Sequence, residues 1–158
     1  NFALIQDFYQ KKIKEKKPAK IFVTSSLAAV LPIPYLGCYT SSKAAITMLA
    51  MTIKKELKDK NIKNITISLI EPGAYNTGFN RVMIDNKESN LEGTDISLQE
   101  IYNINRKQRK LFRLIEKNNT KSIVMKVSRE IENKNPHFKI KAPFLQALFY
   151  KMYLLFSW

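Results

Sequence analysis

The chain has 158 residues, a formal net charge of +14 and a single cysteine, with apolar residues making up 45% and charged residues 25%. That length fits one domain with a sizeable core, and the composition is that of a globular protein rather than a disordered or fibrous one. One Cys (Cys38) and one His (His137) exclude an internal disulfide framework and a zinc site of the usual N/S type, and they suit a reducing, cytoplasmic setting.

The elements follow in order. The sequence opens at Asn1 directly in a helical pattern, with no cap or strand before it, which leads us to expect that the beginning of the domain is missing. Phe2, Ile5, Phe8, Tyr9 and Ile13 recur at helical spacing with lysines between them, and Pro18 ends this first helix. Lys20 to Ser25, KIFVTS, is a short β-branched run of the kind buried on both faces of a parallel sheet. An apolar loop over 27–36, with Pro32 and Pro34, leads to a long helical pattern over 38–60. A second buried strand, NITISLI at 64–70, is stopped by Glu71, Pro72 and Gly73. Strand, helix and strand in this order form a βαβ unit and predict a parallel sheet.

Residues 80–100 are polar and weakly periodic, so a loop or short helices are expected there. Two basic amphipathic helices are predicted over 101–117 and 120–133, and a last strand over 136–140. The tail from Phe144 to Trp158 is apolar apart from Gln146 and Lys151. It is too short to span a bilayer and reads either as a core or dimer helix or as a peripheral membrane contact. Residues 101–158 carry 13 Lys/Arg against 3 Glu, yet no nucleic-acid recognition motif accompanies them; solvated helix faces account for this charge, and no nucleic-acid partner is expected.

In a parallel α/β sheet, ligands bind at the carboxyl ends of the strands. Ser25 and Ser26 leave the first strand there, Pro72 and Gly73 leave the second, and Tyr39 and Lys43 share a face of the helix between them. A nearby ammonium favours the phenolate and draws a tyrosine, ordinarily titrating near pH 10, toward acid–base use. Tyr-x-x-x-Lys by itself is expected about once in a chain this rich in both residues. The joint placement is far more specific.

Ser26, Tyr39-Thr-Ser-Ser-Lys43 and Pro72-Gly-Ala-Tyr-Asn-Thr77 together resemble the classical short-chain dehydrogenases/reductases. The resemblance covers residues 1 to about 80 closely and the rest loosely. It implies a Rossmann-like doubly wound parallel α/β sheet, incomplete at its N-terminal side, and one domain. Within that domain, 1–80 would hold the catalytic motifs, 81–118 a substrate-loop region, and 119–158 the last helix, strand and tail. It implies NAD or NADP as cofactor and a small carbonyl or alcohol substrate, apolar if the loop over 27–36 is a guide. Tyr39 would be the acid–base and Lys43 would bind the nicotinamide ribose. Ser26 would orient the substrate, while Pro72, Gly73 and Thr77 would line the nicotinamide. Asn1 stands where many members place an asparagine that holds a relay water. The four glycines form no phosphate-binding cluster, so the adenosine half of the site is expected outside these residues, and the chain alone is expected to be inactive. A homo-oligomer through helix 38–60 is also expected. Two other readings stay open: a non-catalytic oligomerisation module of the same fold, and a basic protein that binds nucleic acid or a membrane surface.

Overall fold

The computed structural model describes residues 2–91 and 96–156; the side chains of Phe2 and of residues 87–91 are left aside. Helix α1 (Phe2–Glu15) leads into strand β1 (Ala19–Thr24), and a 3-10 turn over Leu27–Val30 precedes α2 (Gly37–Asp59). Strand β2 (Ile65–Pro72) is followed by α3 (Phe79–Leu91), α4 (Leu98–Ile115) and α5 (Lys121–Glu132). Strand β3 (Lys139–Ala142) and α6 (Phe144–Phe156) complete the order.

The three strands form one parallel sheet in the order β1-β2-β3. The register runs from Ala19 beside Ile65 to Thr24 beside Ile70, and from Leu69 beside Lys139 to Pro72 beside Ala142. Because side chains alternate across a strand, the two faces of β2 meet different helices. Ile65, Ile67 and Leu69 pack with Ile21 and Val23 against Ala50, Ile53 and Leu57 of α2 and Tyr9 of α1. Ile70 turns the other way, toward Ile140, Ala142, Ile123 of α5 and Tyr75. Helices on both faces of a parallel sheet make the architecture α/β and doubly wound; the sequence pattern predicts the parallel sheet and the resemblance implies the double winding.

Two elements depart from expectation. Residues 79–91 form a 13-residue helix where a loop or short helices were predicted. Its apolar positions are sparse, but Ile84 is fully buried and the Asp85 carboxylate accepts a hydrogen bond from Arg109 Nη2 of α4 at 2.7 Å, so contacts with α4 supply what periodicity does not. The tail is helical, but α6 has no buried residue, which overturns its reading as a core helix. Phe144, Leu145, Phe149 and Phe156 all stand exposed.

Candidate active site

The site lies at the carboxyl end of β1 and β2. The Ser25 amide donates to the Ile70 carbonyl at 2.8 Å, extending the ladder one residue past β1. Ser25 is 3% exposed, and its hydroxyl donates to the Lys43 carbonyl at 3.0 Å. That uses the one proton it has, so the Thr47 hydroxyl, 2.7 Å away, is the donor in their contact. Ser25 is therefore a fastener between β1 and α2.

Ser26 differs. Its extended backbone ends the strand, and its Oγ accepts the Ala28 amide at 3.1 Å, capping the 3-10 turn. Among the described residues its own proton goes to no partner, so the hydroxyl can still donate to a substrate oxygen.

Helix α2 begins at Gly37, and Tyr39 sits in its first turn with Lys43 one turn further on. The Lys43 ammonium lies 5.8 Å from the centre of the Tyr39 ring, within cation–π range. Phe79, at the start of α3, leans on the same ring with centroids 5.9 Å apart and planes at 51°. Phe79 is more than half exposed, so its ring walls the site and does not serve the core. Tyr75 is buried, and its hydroxyl meets Ser122 Oγ at 2.9 Å; that residue belongs to the packing. Tyr150 of α6 reaches this region as well. Burial, and then the neighbouring Tyr39, push its phenol above the usual range.

Pro72 closes β2, the Gly73 amide donates to the Ala142 carbonyl at 2.8 Å, and Thr77 is exposed at the far end of the same loop. Ser26, Tyr39, Lys43, Pro72, Gly73 and Thr77 thus all belong to segments that start at the carboxyl end of the two strands. Asn1 lies outside the described residues. Cys38 is exposed, and His137 is held by Glu130 far along the chain from these motifs. An apolar groove of about 620 Å³ runs beside the site between Ala29–Pro34 and Gly37, Thr40, Ser41 and Ala44 of α2. Tyr39 and Lys43 do not line it.

The model of the family described as short chain dehydrogenase matches residues 2–88, more than half of the chain and all of the motif-bearing part. The chain belongs to that family. A 3-ketodihydrosphingosine reductase of Bacteroides thetaiotaomicron is 28% identical over 142 residues, which cover 88% of this chain and 49% of the relative. A 3beta-hydroxysteroid dehydrogenase of Eggerthella lenta is 35% identical over 68 residues, 43% of this chain and 25% of the relative. The chain therefore spans half or less of these curated relatives. Among solved structures, a short-chain dehydrogenase from Streptomyces avermitilis superposes with a TM-score of 0.64 at 16% identity, covering 94% of this chain and 50% of the other. One from Burkholderia phymatum, crystallised in complex with NAD, gives 0.66 at 19% identity over 90% and 49%. These likenesses establish the Rossmann-like fold.

Sequence reasoning found the short-chain dehydrogenase motifs because their spacing is local. It missed Gln146 and Tyr150, which reach the site from a helix more than seventy residues beyond Gly73. The one available signal for Gln146 was a polar side chain in an otherwise apolar tail.

Proposed function

We propose that this chain is the catalytic portion of a longer NAD(P)-dependent oxidoreductase that interconverts a carbonyl and an alcohol. The observation that carries the reading is the Lys43 ammonium one helical turn from Tyr39 and 5.8 Å from its ring. The donor set fits a nicotinamide nucleotide: Lys43 offers an ammonium for ribose hydroxyls, and Pro72, Gly73 and Thr77 form the loop expected to line the nicotinamide. A bound nicotinamide supplies the hydride in reduction and accepts it in oxidation. Ser26 donates a hydrogen bond to the substrate oxygen and orients it. Tyr39 gives its phenolic proton to that oxygen as a carbonyl becomes an alcohol, and takes it back in the reverse direction. Lys43 sets its ammonium against the Tyr39 ring, where a positive charge stabilises the negative charge left on the phenol oxygen as its proton leaves. Asn1 would hold the relay water.

The apolar groove at Ala29–Pro34 supports an apolar substrate. Exposed Met48 and Met51 on α2 support a homo-oligomer through that helix, and the exposed α6 supports a peripheral membrane contact. The lone Cys38 supports a cytoplasmic setting.

The test is Tyr39→Phe in the full-length protein. Carbonyl reduction should fall by about 10²-fold or more, with dinucleotide affinity nearly retained. Lys43→Ala should weaken both affinity and rate. Unchanged turnover in Tyr39→Phe would overturn the mechanism.

A further inference from the structure

The loop that follows β2 is held from several sides. Its Gly73 amide bonds the end of β3, and its Asn76 amide donates to the Lys117 carbonyl at 2.9 Å. The Lys117 amide returns to the Ala74 carbonyl at 3.1 Å. The Ala74 amide and carbonyl also meet one side chain of α6. Gln146 Oε1 accepts from the Ala74 amide at 2.7 Å, while Nε2 donates to the Ile115 carbonyl at 2.7 Å and, more loosely, to the Ala74 carbonyl at 3.4 Å.

A primary amide is suited to this place for a definite reason. It presents one acceptor and two donors, and here it faces one amide N–H and two carbonyls. Turning the amide over would set N–H against N–H and oxygen against oxygen, so its orientation is fixed by its partners. Ile115 ends α4, and its carbonyl is among those a helix leaves without an internal partner. Gly73 completes the fit. A Cβ there would collide with Gln146 and touch Pro143 Cδ at 3.0 Å, so the side chain can cross the loop only because residue 73 has none.

We propose that Gln146 is a positioning residue for the nicotinamide end of the cofactor site, tying the loop over 73–77 to the C-terminus of α4 through α6. The proposal rests on the assignment of that loop to the nicotinamide. Gln146 touches no reacting atom. It holds the loop's backbone at one height above β2, so that groups meant for the nicotinamide meet it without rearrangement.

Position can be separated from stability by two ligands in the full-length protein. NAD(P)H carries a nicotinamide, and ADP-ribose keeps the adenosine, the pyrophosphate and the second ribose without it. Gln146→Leu removes every bond of the clamp, and Gln146→Glu keeps the acceptor for Ala74 while losing the donors. Gln146→Leu should raise the Kd and KM for NAD(P)H about tenfold, the effect of one or two lost hydrogen bonds, while the ADP-ribose Kd stays within about twofold. Gln146→Glu should fall between, and it carries the test should the leucine variant not fold. Equal losses for both ligands, or none for either, would overturn the proposal. Wild-type protein that binds neither ligand would overturn the oxidoreductase reading and this inference with it. That outcome is told apart because it precedes any substitution.

Discussion

Glu130 shows how a single carboxylate can fasten two elements. Its oxygens accept the His137 amide at 2.8 Å, meet His137 Nδ1 at 2.8 Å and accept Asn133 Nδ2 at 3.2 Å. These bonds, that from the His137 backbone first, hold its carboxyl below the usual range. The unfolded chain therefore takes up this proton before the folded one does. The stabilisation is complete above the ordinary carboxylate pKa near 4.3 and is lost as the pH falls through it to the lowered folded value. Glu130→Gln should lower the thermal midpoint at pH 7, and the gap from wild type should narrow as the pH falls below the ordinary carboxylate value; a gap independent of pH would show that the charge is irrelevant. Sequence reasoning met His137 only as the single histidine, and its partner is this structural carboxylate. What it could not supply was Glu130 itself, because a hydrogen bond across the turn from α5 to β3 leaves no spacing motif.

At the scale of elements, β2 is the member on which the fold depends. It pairs on both edges, and its two faces carry separate cores. Leu69 is wholly buried among Val23, Ala50 and their neighbours. Leu69→Ala should cost about 2–5 kcal/mol, read as a lower denaturation midpoint, because a pleated sheet between helices cannot collapse into the space left. A cost under about 1 kcal/mol would mean that the neighbouring helices close over the cavity. The run NITISLI announced this strand, since Ile65, Ile67 and Leu69 alternate with Thr66 and Ser68 in a short β-branched-rich run closed by Pro72 and Gly73. Helix α3 was announced only as a loop or short helices, because its order comes from Ile84 and the Asp85–Arg109 pair rather than from an apolar stripe. The site divides along the same line. Ser26, Tyr39 and Lys43 are positioned by the βαβ unit they belong to, whereas Phe79, Tyr150 and Gln146 arrive from elements whose docking is a long-range matter.

Over the whole molecule, a net charge of +14 accompanies an apolar helix α6 that has no buried residue. No helix among the described residues is long and apolar enough to cross a membrane. Lys151 within α6 and Lys139 shortly before it stand exposed, an arrangement that would let the aromatic side of α6 enter an interface while the ammonium groups meet anionic headgroups. The full-length protein should therefore bind vesicles containing phosphatidylserine more tightly than neutral ones, with binding weakened by salt and by Phe149→Ser combined with Phe156→Ser. Equal, salt-independent recovery with both vesicles, or no effect of the double substitution, would contradict a membrane role for α6. By itself the sequence determined the βαβ core, its parallel sheet and the placing of Tyr39, Lys43 and Ser26 at the strand ends, because those features follow from local periodicity and short spacing. Only the tertiary structure decided that the apolar tail stays outside the core, that Phe79 walls the site, and that Gln146 crosses the bare backbone of Gly73. Composition makes an apolar helix equally fit for a core or a surface, and only the packing around it settles which face, if any, is covered.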